Sequence, residues 1–181
     1  MSTLPASLGD AAELRRYTLD DLDVLWAAVQ GERERLGEWM PWVEGTRTID
    51  DQRAWLERVV ADEVGLDGTG LWVGQALAGG VGMSAGPFGV AAEIGYWIRA
   101  AFSGRGLVTS GARAMTDLAF REWGVHRVVI RAGVNNLRSR AVAERLGFTY
   151  EGVARGEGKG VGGFYDLSVY AVLEDEWPAK G

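Results

Sequence analysis

A glycine-rich turn lies between a strand-like segment and a helix-like segment in the stretch AAFSGRGLVTSGARAM, residues 100–115. A turn that leads from a strand into a helix presents free backbone N–H groups and the positive end of the helix dipole, which together suit a phosphate. The residues that would surround an anion there are Gly104, Arg105, Gly106, Thr109 and Ser110. The same pattern is also typical of an ordinary tight turn, so both interpretations stay open at this point.

Several familiar classes of site do not fit the chain. The third glycine of the turn is Gly111, which is not at the G-x-G-x-x-G spacing of a dinucleotide-binding fold, and the lysine of a P-loop is absent. The chain has no cysteine and a single histidine, His126. Disulfides, thiolate metal sites, cysteine nucleophiles, histidine zinc sites and most histidine triads therefore lack their residues, and we expect no metal.

The composition is that of an ordinary folded domain. Apolar residues make up 47% and charged residues 24% of 181 residues, which predicts a single domain over residues 1–181. The formal net charge of -6 argues against a direct nucleic-acid partner, since such proteins usually carry a basic surface. Neither a long apolar run nor a signal-peptide pattern is present, which predicts no membrane contact and a cytoplasmic location.

Local signals in the first half predict helices followed by strands. Capping boxes at Thr18 with Asp21 and at Thr48 with Asp51 predict two helices on either side of the aromatic segment LGEWMPWVEG. Three strand-like runs, GLWVGQAL, AGGVGMSAG and AAEIGYWIRA, are separated by glycine turns and predict an antiparallel meander.

The second half predicts a helix, a buried strand and another helix. These are GLVTSGARAMTDLAFREW, HRVVIRAGV and NLRSRAVAERLGF, the last beginning after Asn136 and ending at Gly147. Two strands, TYEGVARG and FYDLSVYAVL, then flank the glycine-rich loop EGKGVGG, which is predicted to be either a lid or a loose turn. A strand, a helix and a strand in this order can pair in parallel, so the expected fold class is α/β.

These segments together resemble the GNAT superfamily of acyl-CoA-dependent N-acetyltransferases. EIGYWIRAAFSGRGLVTSGARA, NNLRSRAVAERLGF and YDLSVYAVL follow one another at spacings similar to that family, and WMPWVEGTRTIDD is similar to its RimJ/RimL-like branch, which includes enzymes that acetylate N-termini of ribosomal proteins. The resemblance spans residues 10–175. It implies a mixed, mostly antiparallel central sheet with a parallel, splayed strand pair, flanked by helices, and it implies acetyl-CoA as the cosubstrate.

The family's phosphate loop lies on Ser103 to Val108 and is a variant here. Ser103 stands where the family has Gln or Arg, Val108 stands where it has a small residue, and only Gly106 matches strictly. Because main-chain N–H groups bind the phosphates, the resemblance still implies a CoA site. The implied cofactor-binding residues are Ile98, Arg99, Arg105, Gly106, Leu107, Val108, Thr109, Ser110, Asn136 and Arg138. For Leu107 and Val108, packing of the helix against the core is the alternative.

Glu93 is the predicted general base. In the strand AAEIGYWIR, Glu93 and Trp97 share one face and Tyr96 lies on the other. The resemblance implies that this strand separates from HRVVIRAGV and holds the pantetheine arm in the gap. An amine must lose a proton to attack a thioester, and a partly buried carboxylate suits that task. Alternatively, Glu93 only pairs with an arginine such as Arg131, and Glu157 is a second candidate base.

Ser139 is the predicted hydrogen-bond donor to the sulfur of CoA. Many members of the family use a tyrosine at the position of Ala143, which this chain lacks. One helical turn earlier, Asn136 and Ser139 match the Asn-x-x-Ser pattern of the RimJ/RimL-like branch, whose serine binds the sulfur. The alternatives are a helix cap for Asn136 and a solvent-facing serine. Arg138 and Arg140 are candidates for contact with the 3′-phosphate.

The acceptor site is predicted mainly from aromatic residues. The resemblance places the segment EWMPW over the acceptor as the wall of a groove, with the pair Tyr165 and Asp166 nearby. The predicted substrate-binding residues are Trp39, Met40, Trp42, Tyr96 and Tyr165. The acidic residues around the segment would favour a cationic acceptor, although they are equally typical of a solvated helix face. These are Glu32, Glu34, Glu38 and Glu44.

The predicted activity is transfer of acetyl from acetyl-CoA to a primary amine by direct attack in a ternary complex. No covalent enzyme intermediate is expected, in agreement with the absence of cysteine. The predicted acceptor is a protein or peptide N-terminal amine. The alternatives are a small-molecule amine, such as an antibiotic or a polyamine, and a CoA-binding regulator without turnover. A homodimer is compatible with the sequence but is not required by it.

Overall fold

Eight strands form one sheet in the computed structural model, which describes residues 4–9, 11–61 and 68–178. The strands are β1 (Ala6–Gly9), β2 (Ala12–Arg16), β3 (Thr69–Val73), β4 (Ala76–Ala85), β5 (Ala91–Ile98), β6 (Arg127–Gly133), β7 (Thr149–Gly160) and β8 (Gly163–Leu173). Across the sheet the order is β1-β2-β3-β4-β5-β6-β8-β7. All neighbours are antiparallel except β5 and β6, which are parallel. The predicted α/β class with a mostly antiparallel sheet is confirmed.

The α-helices of the described chain are α1 (Leu22–Gly31), α2 (Arg33–Gly37), α3 (Trp42–Gly45), α4 (Ile49–Val60), α5 (Leu107–Leu118) and α6 (Leu137–Arg145). Three of them follow the capping residues predicted from the sequence: α4 after Thr48, α6 after Asn136, and α1 after a short 3₁₀ turn that Thr18 caps. At the start of α4, the Asp51 carboxylate accepts the Thr48 N–H at 2.8 Å, and the Thr48 hydroxyl accepts the Asp51 N–H at 3.2 Å. Such a reciprocal cap satisfies N–H groups that the helix itself leaves unpaired. In the part of the chain that is described, no helix is long and apolar enough to cross a membrane.

Two apolar cores lie on the two faces of the sheet. Helices α5 and α6 cover one face, where Met115 and Ala143 pack with Ile94 and Ile130. Helices α1 and α4 cover the other, where Val29 and Leu56 pack with Trp72 and Leu77. Burying a large apolar side chain stabilises a fold by roughly 1.5–3 kcal/mol each, so both faces hold the sheet in place. We refer to them as the α5–α6 face and the α1–α4 face.

The parallel strand pair separates soon after it forms. Ladder pairs join Ala91–Glu93 to Arg127–Val129, and in the described chain no ladder pair joins β5 to β6 beyond them. Past that point β5 continues along β4 as far as Ile98, and β6 continues along β8 as far as Gly133. The two strands therefore leave a gap in the middle of the sheet that opens to both faces.

Three local predictions need correction. The loop predicted at EGKGVGG is mostly strand, because β7 runs to Gly160 and β8 starts at Gly163. Its glycines serve close approach: a Cβ at Gly158 would meet the Tyr165 ring, and a Cβ at Gly160 would meet the carbonyl of Glu38. The segment LGEWMPWVEG contains the end of α2 and the whole of α3, the run GLWVGQAL contains the β3–β4 turn, and the sequence gives no prediction for β1.

Candidate active site

The turn after β5 presents unpaired backbone donors. Gly104 and Gly106 have φ of 77° and 75°, a left-handed conformation that glycine adopts without strain, and Gly106 caps α5. The first hydrogen bond of the helix runs from the Ser110 N–H to the Gly106 carbonyl at 3.0 Å. The N–H groups of Leu107 to Thr109 precede that bond and have no acceptor within the helix. This end of the 12-residue α5 can therefore bind an anion.

The side chains of this turn differ in what they contact. Leu107 and Val108 pack against the core, as the alternative interpretation has it, and their N–H groups remain part of the first turn. The guanidinium of Arg99 donates to the Leu77 carbonyl at 2.9 Å, so it also anchors the end of β5 to β4. Arg105 is exposed, with its guanidinium carbon 5.6 Å from the centre of the Phe102 ring. Arg105 is thus the cation of the turn that points to solvent.

Ser139 and Tyr96 meet across the gap. The Asn136 side chain caps α6 by accepting the Ser139 N–H at 3.2 Å, which confirms the cap interpretation of Asn136. The Tyr96 hydroxyl donates to the Ser139 carbonyl at 2.9 Å, and the Ser139 hydroxyl donates to the Tyr96 hydroxyl at 3.3 Å. Burial raises the pKa of Tyr96 to about 12. Tyr96, predicted at the acceptor, thus lies with Ser139 on the α5–α6 face.

Two of the arginines of α6, Arg138 and Arg140, differ in their surroundings. Arg140 donates to the Tyr170 hydroxyl at 2.9 Å and to the Val134 carbonyl at 3.1 Å, and Tyr170 donates onward to Glu144 at 2.8 Å. These bonds fix α6 to the sheet. Arg138 is exposed, and its side chain is accessible to a ligand at the start of α6.

On the α1–α4 face, one arginine lies between the two candidate bases. Arg131 on β6 lies 3.1 Å from the Glu157 carboxylate and 3.6 Å from that of Glu93. The side chains of Glu93 and Glu157 are 41% and 46% exposed. The predicted alternative, an ion pair of Glu93 with Arg131, is therefore present. Both carboxylates remain accessible to an amine that enters from this face.

Aromatic residues form the wall beside these carboxylates. The Trp39 ring packs edge-on against Tyr165, with 5.3 Å between centroids, and lies directly over Gly133 at the end of β6. The Tyr165 hydroxyl donates to the Trp39 carbonyl at 2.7 Å, and burial raises the pKa of Tyr165. Half-exposed Trp42 lies 6.5 Å from Trp97, and Met40 is partly buried. Trp39 and Tyr165 thus lie nearest to the gap.

The acidic residues of this region divide into two groups. Glu32 accepts the Ala100 N–H and an Arg35 N–H, each at 2.8 Å, so it ties α2 to the turn after β5. Exposed Glu34, Glu38 and Glu44 line a groove of about 610 Å³ between α2, α3 and the β7–β8 turn. The Asp166 carboxylate accepts the Gly156 N–H at 2.7 Å and so links β8 to β7.

One feature of the site has no signal in the local sequence. The Tyr96–Ser139 pair joins residues 43 positions apart. The sequence does name Arg131 as a possible partner of Glu93, but the contact of the same arginine with Glu157 on β7 follows only from the strand order. The period-2 pattern of β5 did place Glu93 and Tyr96 on opposite faces, which the structure confirms.

Comparison with known proteins agrees with this geometry. Residues 12–149 match the family model described as the acetyltransferase (GNAT) domain. The chain is 36% identical over 166 residues to YdaF of Bacillus subtilis (strain 168), provisionally named a ribosomal N-acetyltransferase, covering 88% of this chain and 90% of that one. It is 30% identical over 89 residues to the ribosomal-protein-serine acetyltransferase of Escherichia coli (strain K12), covering about half of each.

A solved structure gives the same result. The chain matches RimL, the ribosomal L7/L12 alpha-N-protein acetyltransferase, solved in complex with coenzyme A, with a TM-score of 0.84 and 26% identity. The match covers 94% of this chain and 98% of RimL. Fold and sequence together define an acyltransferase. The chain belongs to the GNAT family of N-acetyltransferases and is RimJ/RimL-like within it.

Proposed function

We propose that the chain transfers the acetyl group of acetyl-CoA to a protein or peptide N-terminal amine by direct attack in a ternary complex. The observation that carries the proposal is the gap between β5 and β6. Anion-binding N–H groups and Ser139 lie on its α5–α6 face, and Glu93 and Glu157 lie on its α1–α4 face. Two substrates can therefore approach from opposite faces and meet within the sheet.

Acetyl-CoA fits the α5–α6 face through its charge and its shape. The N–H groups of the first turn of α5, with Arg105 beside them, suit the pyrophosphate, and exposed Arg138 suits the 3′-phosphate. The unpaired edges of β5 and β6 offer backbone groups to the amides of the pantetheine arm. The proposed donor-binding residues are the ten that the resemblance implies, among them Ile98, Asn136 and Arg138.

The chemical step needs a base and a stabilised leaving group. The nitrogen of the neutral amine attacks the acetyl carbon and loses one proton to Glu93 as the new bond forms, and Glu157 is the second candidate for this role. The bond from carbon to sulfur breaks and its electron pair stays on the sulfur. The Ser139 hydroxyl donates a hydrogen bond to that sulfur. A thiol has a pKa of about 8.5, so a thiolate leaves readily once it is hydrogen-bonded.

The relatives support an N-terminal acceptor. YdaF, RimL and the Escherichia coli enzyme all carry names that refer to ribosomes or ribosomal proteins. We propose that an extended peptide packs along the wall of Trp39 and Tyr165, so that its first amine reaches the carboxylates. We propose that residues 1–181 act as one catalytic domain in the cytoplasm. A homodimer is not required, because one chain supplies every candidate residue.

Release of CoA in the presence of different amines tests the proposal. We expect turnover with peptides that have a free N-terminal amine and none with the same peptides after N-formylation, even when they contain lysine. Polyamines and aminoglycosides serve as the comparison set, because they carry primary amines without a peptide backbone. Turnover with that set alone would overturn the proposed acceptor, and no turnover with any amine, despite binding of acetyl-CoA, would indicate a regulator.

A further inference from the structure

We infer that Tyr96 is a positioning residue for the leaving group: it holds the Ser139 hydroxyl at the gap, where that hydroxyl donates to the sulfur of CoA. The inference rests on the proposed function and deepens it. It differs from the sequence prediction, which placed Tyr96 at the acceptor.

The contact lies where the sheet is open. Tyr96 stands on β5 past Glu93, the last residue of that strand in the parallel ladder, and its side chain extends to the first turn of α6. There the Ser139 carbonyl accepts from Tyr96 at 2.9 Å, while the Ser139 N–H is held by Asn136 at 3.2 Å. The peptide groups on both sides of Ser139 are thereby fixed. Its hydroxyl lies 3.3 Å from the Tyr96 oxygen.

Tyr96 supplies the phenol that α6 itself lacks. Ala143, one turn after Ser139, is fully buried in the core and has no polar group. The Tyr96 hydroxyl reaches the same side of the helix from the facing strand. When a sulfur occupies the gap, the Ser139 proton can turn toward it, and the Tyr96 proton can remain on the Ser139 carbonyl or turn to the Ser139 oxygen. The first arrangement fixes the backbone of Ser139, and the second also fixes its hydroxyl oxygen.

Tyr96 does not supply a proton in this account. Burial raises its pKa to about 12, so its hydroxyl stays protonated while the sulfur leaves. The proton lost by the amine goes to the carboxylate base, the new bond joins nitrogen to the acetyl carbon, and the electron pair of the broken bond stays on sulfur. Ser139 contributes a hydrogen bond and Tyr96 contributes its orientation.

A purely structural role for Tyr96 is the competing explanation, and Tyr170 provides a matched control. The Tyr170 hydroxyl also ties α6 to the sheet, through Arg140 at 2.9 Å and Glu144 at 2.8 Å, but these bonds do not involve Ser139. Tyr96→Phe and Tyr170→Phe each remove one hydroxyl and keep the ring. If loosening of α6 were the whole effect, the two variants would behave alike.

The first test compares kcat and KM in these variants. We expect Tyr96→Phe to lower kcat by about five- to tenfold, the range of one lost hydrogen bond, with KM for acetyl-CoA within about twofold. Tyr170→Phe should leave kcat within about twofold. In the Ser139→Ala background, Tyr96→Phe should cause no further loss, because the two residues act as a unit. An equal loss in both backgrounds, or equal effects of Tyr96→Phe and Tyr170→Phe, would overturn the inference.

A second test needs no acceptor and separates this inference from the proposed function. The thiol of bound coenzyme A is titrated by thiolate absorbance in the wild type, Tyr96→Phe and Ser139→Ala. We expect both variants to raise the pKa of that thiol by about half a unit to one unit, because Ser139→Ala removes the hydrogen bond to the thiolate and Tyr96→Phe removes the group that orients its donor. A rise in Ser139→Ala alone overturns the role of Tyr96 and leaves the proposed function intact. Failure of coenzyme A to bind the wild type overturns both.

Discussion

The two faces of the gap offer a ligand different kinds of group. On the α5–α6 face the candidate binding groups are mainly backbone N–H donors at the end of a helix, where Leu107 and Val108 pack against the core and Arg105 is exposed. On the α1–α4 face the candidate groups are side chains, with Glu93, Arg131 and Glu157 in one partly exposed cluster. Because backbone donors do not depend on the side chain, we expect an anion site here to survive the departures at Ser103 and Val108. On the α1–α4 face, where the candidate groups are side chains, we expect substitutions to cost more.

The largest effect is expected from Glu93→Gln, which removes the proposed general base on the α1–α4 face. Loss of a general base lowers kcat by about 10²- to 10⁴-fold, while the affinity for acetyl-CoA on the other face should not change. Steady-state kinetics together with a binding titration measure both quantities. Glu157→Gln is the matched control, since both carboxylates contact Arg131. A rate within a few-fold of wild type for Glu93→Gln, with a large loss for Glu157→Gln, would move the base to Glu157.

Ser139→Ala is expected to have the next largest effect, from the α5–α6 face. Loss of a hydrogen bond to a developing charge corresponds to about ten- to a hundredfold in kcat. Thermal stability should change little, because the Asn136 cap binds the Ser139 N–H, which remains in the variant. An unchanged kcat would remove Ser139 from the mechanism, and Tyr96 with it.

Trp39→Leu is expected to affect the acceptor alone. Its ring packs on Tyr165 and Gly133 beside the gap, so truncation should raise KM for a peptide acceptor by about fivefold, within the range of a contact residue at an interface. Trp55→Leu is the control, because Trp55 packs on Tyr17 in the apolar core of the α1–α4 face. A rise in KM for acetyl-CoA instead would show that the two faces are not separate.

Gly106→Ala is expected to weaken the α5–α6 face with a smaller effect. At φ of 75° a Cβ is strained by about 1–2 kcal/mol, and the shift of the turn should raise the Kd of acetyl-CoA by several-fold. Gly104→Ala carries the same strain at φ of 77° but lies outside the cap. Calorimetric unfolding and a binding titration separate the effects. Equal changes in the affinity for acetyl-CoA in both variants would mean that the whole turn contributes to binding and that the N-terminus of α5 has no special role.

The smallest effect is expected from the titration of Tyr96, which changes the stability of the fold only at alkaline pH. Its pKa is raised from 10.0 to about 12, so the stability that its burial provides is full below pH 10 and is lost as the pH rises toward 12. That loss is on the order of 2 kcal/mol. The free energy of unfolding, measured in urea, should therefore fall less between pH 10 and 12 in Tyr96→Phe than in the wild type. An equal fall in both proteins would contradict the burial of this hydroxyl.

The sequence predicts what depends on neighbours along the chain. The caps at Thr48 and Asn136 form by contacts three residues apart, so local patterns find them and they are confirmed. The glycines at 158 and 160 were misread as a loop because their reason lies elsewhere, in the Tyr165 ring and the Glu38 carbonyl. The placement of Tyr96 beside Ser139 depends on the strand order in the same way. Distant contacts thus account for the wrong loop at 157–163, whereas the turn that divides GLWVGQAL lies between neighbours along the chain.

Thermal unfolding with and without saturating acetyl-CoA tests the central claim most directly, since it asks whether the gap binds the acetyl donor. Occupancy at about a hundred times Kd should add roughly 2.7 kcal/mol, which corresponds to about 5–10 °C in Tm for a chain of this size. We expect that shift in Tm for the wild type and a smaller shift for Gly106→Ala at the same concentration of acetyl-CoA. An unchanged Tm for the wild type would contradict the central claim, because the turn at Gly106 would then be a turn without a ligand.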